Sequence, residues 1–66
     1  MKGFIEVTAK NGSYKELIAV GLICRVIEEE DGTACIITVE CKKVIYGFCT
    51  VEKYSEVITK INEAVQ

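Results

Sequence analysis

Apolar and polar residues alternate along most of this chain with a period of two, and the spacing lengthens to that of a helix only near the end. The first alternating run, Phe4 to Ala9, leads into Lys10-Asn11-Gly12-Ser13. Asn-Gly accepts positive φ at both central positions of a type I′ turn, so the pattern predicts a two-residue hairpin loop with Tyr14 to Val20 returning antiparallel. That loop sets Val7 opposite Glu16 and Ile5 opposite Ile18, and leaves Phe4, Glu6 and Thr8 to face Ala19, Leu17 and Lys15. Val20-Gly21-Leu22-Ile23 breaks the alternation. A glycine among apolar neighbours predicts a bend or one short helical turn there. Cys24 to Glu29 resumes as strand, Asp31-Gly32 marks a second tight turn, and Ala34 to Glu40 is the most strand-like run. Cys41-Lys42-Lys43 reads as a turn, and Val44 to Val51 as a fifth strand containing Gly47. Finally Tyr54, Val57, Ile58, Ile61 and Val65 fall on one face of a helix, predicted from about residue 53 to about residue 65.

The expected fold class is α+β: a five-stranded, mainly antiparallel β-meander with one C-terminal amphipathic helix packed on one face, all in a single domain over residues 1–66. If Lys42-Lys43 is a two-residue turn, Val39 pairs with Tyr46 and Ile37 with Phe48, sharing a face with Cys35 and Val44. A two-residue loop at Asp31-Gly32 adds Val26 and Cys24 to that face. The expected core is Ile5, Val7, Ile18, Val26, Ile37, Val39, Phe48, Val57, Ile58 and Ile61. The opposite face then holds Ile27, Ile36, Ile45, Cys49 and Val51, which is more apolar surface than one helix can cover together with the first face. These five are the candidate interface residues of a homo-oligomer, since self-association is a common way for a small chain to complete its core. A curled, barrel-like sheet is the alternative, and a register shifted by one residue would exchange the faces.

Composition narrows the function. Sixty-six residues support one domain with a thin stability margin, and 50% apolar with 27% charged residues excludes disorder. A net charge of −2 exerts no global pull towards nucleic acid or anionic membrane, and no apolar run reaches the ~20 residues of a membrane span. Met1 to Glu6 lacks the apolar core of a signal peptide, so a cytoplasmic, reducing location is expected. With no histidine, imidazole chemistry is absent, and no phosphate loop or nucleophile–base set is present. The run Glu28-Glu29-Glu30-Asp31 sits at a hairpin tip, where a solvated loop is the simple reading and a weak cation site the sharper one. The four cysteines, Cys24, Cys35, Cys41 and Cys49, form no Cys-x-x-Cys pair, so they are expected as small buried apolar residues. Zinc binding, a disulfide or a reactive thiol are the alternatives.

The succession Asn11-Gly12, Leu22-Ile23, Val26-Ile27-Glu28-Glu29, Asp31-Gly32-Thr33, Lys42-Lys43 and Tyr54-Ser55-Glu56-Val57 resembles the FlbD-type small flagellar and swarming-motility proteins, and similar layouts occur among other small bacterial and phage proteins. The resemblance spans about Phe4 to Ile61 and rests on turn and core patterns. It departs at Lys53, where a helix-capping serine is expected, and at Gly21, where a polar residue is usual. It implies several short strands, a C-terminal helix, no catalytic residues, and an accessory role through contacts with other proteins. The expected function is therefore a non-enzymatic interaction module that self-associates, without catalytic residues, cofactor or metal. Tyr14, Tyr46 and Phe48 suggest a nucleic-acid-binding regulator as an alternative, although no basic residues cluster around them. A cysteine-based redox or metal-binding protein is the second alternative.

Overall fold

The β-branched and aromatic runs form five strands in the computed structural model, which describes residues 3–40 and 44–66 and, of Glu40, Val44 and Ile45, the backbone alone. They are β1 (Phe4–Thr8), β2 (Lys15–Ala19), β3 (Ile23–Glu28), β4 (Thr33–Glu40) and β5 (Val44–Lys53), followed by the helix α1 (Tyr54–Ala64). All paired strands are antiparallel, so this is a small α+β domain of the expected class. The strands divide into two sheets, β1-β2 and β3-β4-β5, instead of running as one meander. The reason lies at Val20–Leu22, which forms a single 3-10 turn and redirects the chain so that β3 does not pair with β2. The sheets meet where Ala9 bridges Thr50 and the Lys10 N–H donates to the Cys49 carbonyl at 2.9 Å.

Turn length decides which side chains face the core. In the first hairpin the Gly12 N–H donates to the Ala9 carbonyl at 2.7 Å and the Ala9 N–H to the Tyr14 carbonyl at 2.8 Å. Lys10 and Asn11 therefore occupy the centre of the turn, in place of the predicted Asn11-Gly12 pair, and Gly12 follows at φ +75°. The Asn11 side chain accepts hydrogen bonds from the Ser13 N–H and hydroxyl, at 2.9 and 2.6 Å. This loop has four residues, an even number like the expected two, so the register is the predicted one, with Val7 opposite Glu16 and Ile5 opposite Ile18.

The second hairpin behaves differently. The Gly32 N–H donates to the Glu29 carbonyl at 2.9 Å and the Glu29 N–H to the Thr33 carbonyl at 2.8 Å, enclosing Glu30, Asp31 and Gly32. Gly32 lies at φ +86°, the left-handed position that closes a three-residue loop. An odd loop moves the partner strand by one residue, and a one-residue move exchanges its faces. Val26 thus pairs with Ile36, not Ile37. The other side of β4 shifts likewise: Glu40 lies opposite Val44, Val39 opposite Ile45 and Ile37 opposite Gly47. The expected Lys42-Lys43 turn lies outside the described residues.

The outcome is that β4 is turned over relative to the expectation, while β5 and the part of β3 from Arg25 onward keep their faces; an irregularity between Ile23 and Arg25 puts Ile23 against the core and leaves Cys24, expected there, exposed. Ile36, expected on the face away from the helix, is fully buried, as is Ala34. They join Ile5, Val7 and Ile18 from β1-β2 with Val57 and Ala64 from α1, and Val26, Phe48 and Ile61 pack against this cluster as expected. Ile37 and Val39, expected in the core, alternate with Ile36 and lie half-buried on the opposite face. On α1 the buried line runs through Val57, Ile61 and Ala64; Ile58 is half-buried and Val65 exposed. Lys53 supplies no side-chain cap, and the Tyr54 N–H donates instead to the Gly32 carbonyl at 2.9 Å. At the other end the Ala64 carbonyl accepts from the Gly3 N–H at 3.0 Å. No helix among the described residues is long and apolar enough to cross a membrane.

This arrangement ranks two isoleucines against the sequence expectation. Ile36→Ala should cost about 2–5 kcal/mol in urea unfolding, whereas Ile27→Ala, at an exposed position, should stay within about 0.5 kcal/mol. The reverse ranking would restore the expected orientation of β4.

Candidate functional site

The face of β3-β4-β5 turned away from α1 carries Arg25, Ile27, Cys35, Ile37, Val39, Cys49 and Val51 by alternation with the core residues. The register sets Ile27 opposite Cys35, and Cys35 opposite Cys49. The two cysteines stand 4.1 Å apart between Cα atoms with their sulfur atoms at bonding distance, a disulfide between neighbouring strands. The Lys10 N–H reaches the Cys49 carbonyl from β1, so the backbone groups of Cys49 point away from β4. Cys35 and Cys49 are therefore a non-hydrogen-bonded pair, the type in which opposed side chains come closest.

Glu29, on the same face at the end of β3, completes the group. Its Oε1 lies 3.7 Å from Cys49 Sγ, and one ligand atom from each of Glu29, Cys35 and Cys49 falls within 4.8 Å of the others. Glu29 and Cys49 are exposed, so solvent reaches both. Two thiolates and one carboxylate are a donor set that suits zinc, leaving a fourth tetrahedral position for water or another ligand. The Cys24 thiol is free and exposed, and Cys41 lies outside the described residues. The expectation of buried apolar cysteines is thus overturned for Cys24, Cys35 and Cys49: two are paired, and Cys24 and Cys49 face solvent.

The acidic run at the hairpin tip divides its work. Asp31 turns towards the first hairpin, where Lys10 Nζ donates to its Oδ2 at 2.6 Å and to the Thr33 hydroxyl at 2.7 Å. The other Asp31 oxygen accepts from the Thr33 N–H at 3.0 Å and hydroxyl at 2.6 Å, and Lys53 Nζ donates to the Asp31 carbonyl at 3.1 Å. The hydrogen bond from Lys10, then those from Thr33, hold the Asp31 carboxyl well below the usual carboxylate range. Asp31 thereby ties together the tips of two hairpins, which leaves Glu29 to the cysteine pair. Glu52, near the end of β5, accepts the Thr8 N–H with its carboxylate oxygens at 3.0 and 3.1 Å. Thr8 pairs with Lys15 of β2, and the carboxylate satisfies the Thr8 N–H.

Of the candidate interface residues, Ile27, Cys49 and Val51 do lie exposed on the bare face. The Ile45 backbone pairs with Val39 on the same strand set, and Ile36 is withdrawn into the core. The sequence reading put Cys35 and Cys49 on opposite faces and so missed the pair. One signal was present: Cys35 and Cys49 stand equally far from Lys42, as residues facing each other across an odd connection must. The chain matches no protein-family model, no curated protein and no solved structure.

The Asp31 tie has a defined pH dependence. A carboxyl held low contributes stability that is complete above its unfolded-state pKa and is lost as pH falls through its folded one. Asp31→Asn should therefore lower Tm by a constant amount from pH 7 to about pH 5, and the gap to the unsubstituted protein should narrow below about pH 4. The effect will be modest because the pair is exposed to solvent screening. Thermal melts across that range check it.

Proposed function

We propose that Cys35 and Cys49 form a reversible thiol pair: a disulfide when oxidised and, when reduced, a dithiolate that holds zinc together with the Glu29 carboxylate. The observation that carries this reading is the convergence of the two sulfur atoms and one carboxylate within 4.8 Å on a solvent-facing sheet surface. Reduction by an external dithiol delivers two electrons, breaks the S–S bond and leaves a proton on each sulfur, while the reductant becomes a disulfide. Exchange of this kind begins with thiolate attack on an accessible sulfur, and Cys49 is exposed. Zinc then displaces both thiol protons. The Glu29 carboxylate beside the sulfur atoms becomes a ligand once the cation is bound.

A second reading rests on a separate observation and concerns contact between copies of the chain. Ile27 and Val51 are exposed beside half-buried Ile37 and Val39 on the face that α1 leaves bare. This supports self-association through that face, the kind of protein contact that the FlbD-type resemblance also implies. Sedimentation at high micromolar concentration should give a species heavier than 7.3 kDa, and Ile27→Lys should return it to monomer with unchanged circular dichroism. A wild-type monomer under those conditions would remove this reading and leave the first intact.

The thiol reading makes its own prediction. In the unfolded chain, treatment with dithiothreitol should add the two thiols of Cys35 and Cys49 to the number that react without reductant. Native mass spectrometry of the reduced protein should show one zinc bound, lost in Cys49→Ser and weakened in Glu29→Gln. Four thiols before reduction together with no zinc after it would overturn the proposal.

A further inference from the structure

Five of the eight large apolar side chains that lie exposed among the described residues gather around one cleft: Phe4, Tyr14, Leu17, Leu22 and Tyr46. The cleft lies between β2 and the ends of β4 and β5 nearest their junction, has a volume of about 520 Å³, and includes Phe48. Phe48 meets Tyr14 edge to face, with ring centroids 6.0 Å apart. It is remote in register from the cysteine pair, since Tyr46 and Phe48 point to the opposite face of β5 from Cys49.

Two polar groups in this cleft break the local pattern. Glu16 pairs with fully buried Val7 and shares a face of β2 with buried Ile18 and exposed Tyr14, and is itself exposed. A carboxylate there is not required by the fold, and among the described residues it has no ion-pair partner. Among the described residues it is also the one acidic or basic side chain lining the cleft. Thr38 is 7% exposed and lines the same space, and no side-chain hydrogen bond among the described residues involves its hydroxyl. Exposed aromatic rings beside a carboxylate that has no ion-pair partner among the described residues meet a ligand's requirements better than a core's.

We propose that this cleft binds a small organic cation of the aryl-alkylammonium class. Its ammonium group lies against the Glu16 carboxylate and the rings of Tyr14 and Tyr46, its ring packs against Phe48 and Leu22, and Thr38 offers a hydroxyl to any polar substituent. Aromatic faces attract cations through the ring quadrupole, and the carboxylate adds charge complementarity that a neutral ligand cannot use. The volume lies in the range of sites for single small molecules.

Benzyltrimethylammonium is a suitable probe. Titrated into the full, isotope-labelled chain at millimolar concentration, it should give saturable amide shifts confined to Leu17, Thr38, Gly47 and their neighbours. Tyrosine fluorescence should change in step, since two of the three tyrosines line the cleft and there is no tryptophan. Glu16→Gln should weaken binding about tenfold, and benzyl alcohol, with the same ring and no charge, should bind about tenfold less tightly than the probe. Tyr46→Leu, which keeps an apolar side chain at an exposed position, should also weaken it. Absence of saturable shifts, shifts centred elsewhere, or equal binding by the Glu16→Gln chain would each overturn the proposal.

Discussion

The register of β4 is the constraint on which the rest of this molecule depends. It is set at one end by the Glu29 to Thr33 loop, whose three enclosed residues are held by two backbone hydrogen bonds and a left-handed glycine. Because the side-chain period of a strand is two, that odd count determines that Ala34 and Ile36 enter the core, while Cys35, Ile37 and Val39 face outward. The bond from Tyr54 to the Gly32 carbonyl then starts α1 from the same loop, so one turn fixes both the face of the central strand and the origin of the helix that covers it. Asp31 carries the linkage one step further, binding Lys10 in the first hairpin.

The elements themselves were legible from the chain. The five strands, the 3-10 turn at Gly21 and the terminal helix follow from period, glycine placement and amphipathicity, and each of these is a local property. Face assignment is not local, because it depends on the parity of each connection. The first hairpin was read correctly although its turn was misassigned, since four residues and two give the same register. The second was read as even and is odd. Val26 and Phe48 still lie against the core because β5 and most of β3 keep their faces, so the difference is confined to β4 and the start of β3, where Ile23 takes the place expected of Cys24.

That single strand carried the candidate site with it. With β4 reversed, Cys35 faces Cys49 and the apolar stripe loses Ile36 but gains Ile37 and Val39. The site was therefore hidden by a register shift and not by any unusual residue type. The division of labour within the acidic run was equally invisible to composition, which sees four adjacent carboxylates where the fold uses one as a hairpin clamp and another as a neighbour of sulfur. Glu16 is a different case. Its opposition to Val7 was readable, and its meaning emerged only when the aromatic side chains around it proved to be exposed.

The hydrogen bond from Gly3 to the Ala64 carbonyl joins the start of the first strand to the end of the last helix. Fully buried Val7 and Val57 share one core, so the apolar face of the first hairpin is completed only when α1 docks against it. Contacts distant in sequence therefore hold this fold together, and any tether that keeps α1 from docking will leave the buried faces of the first hairpin and of β4 uncovered at once.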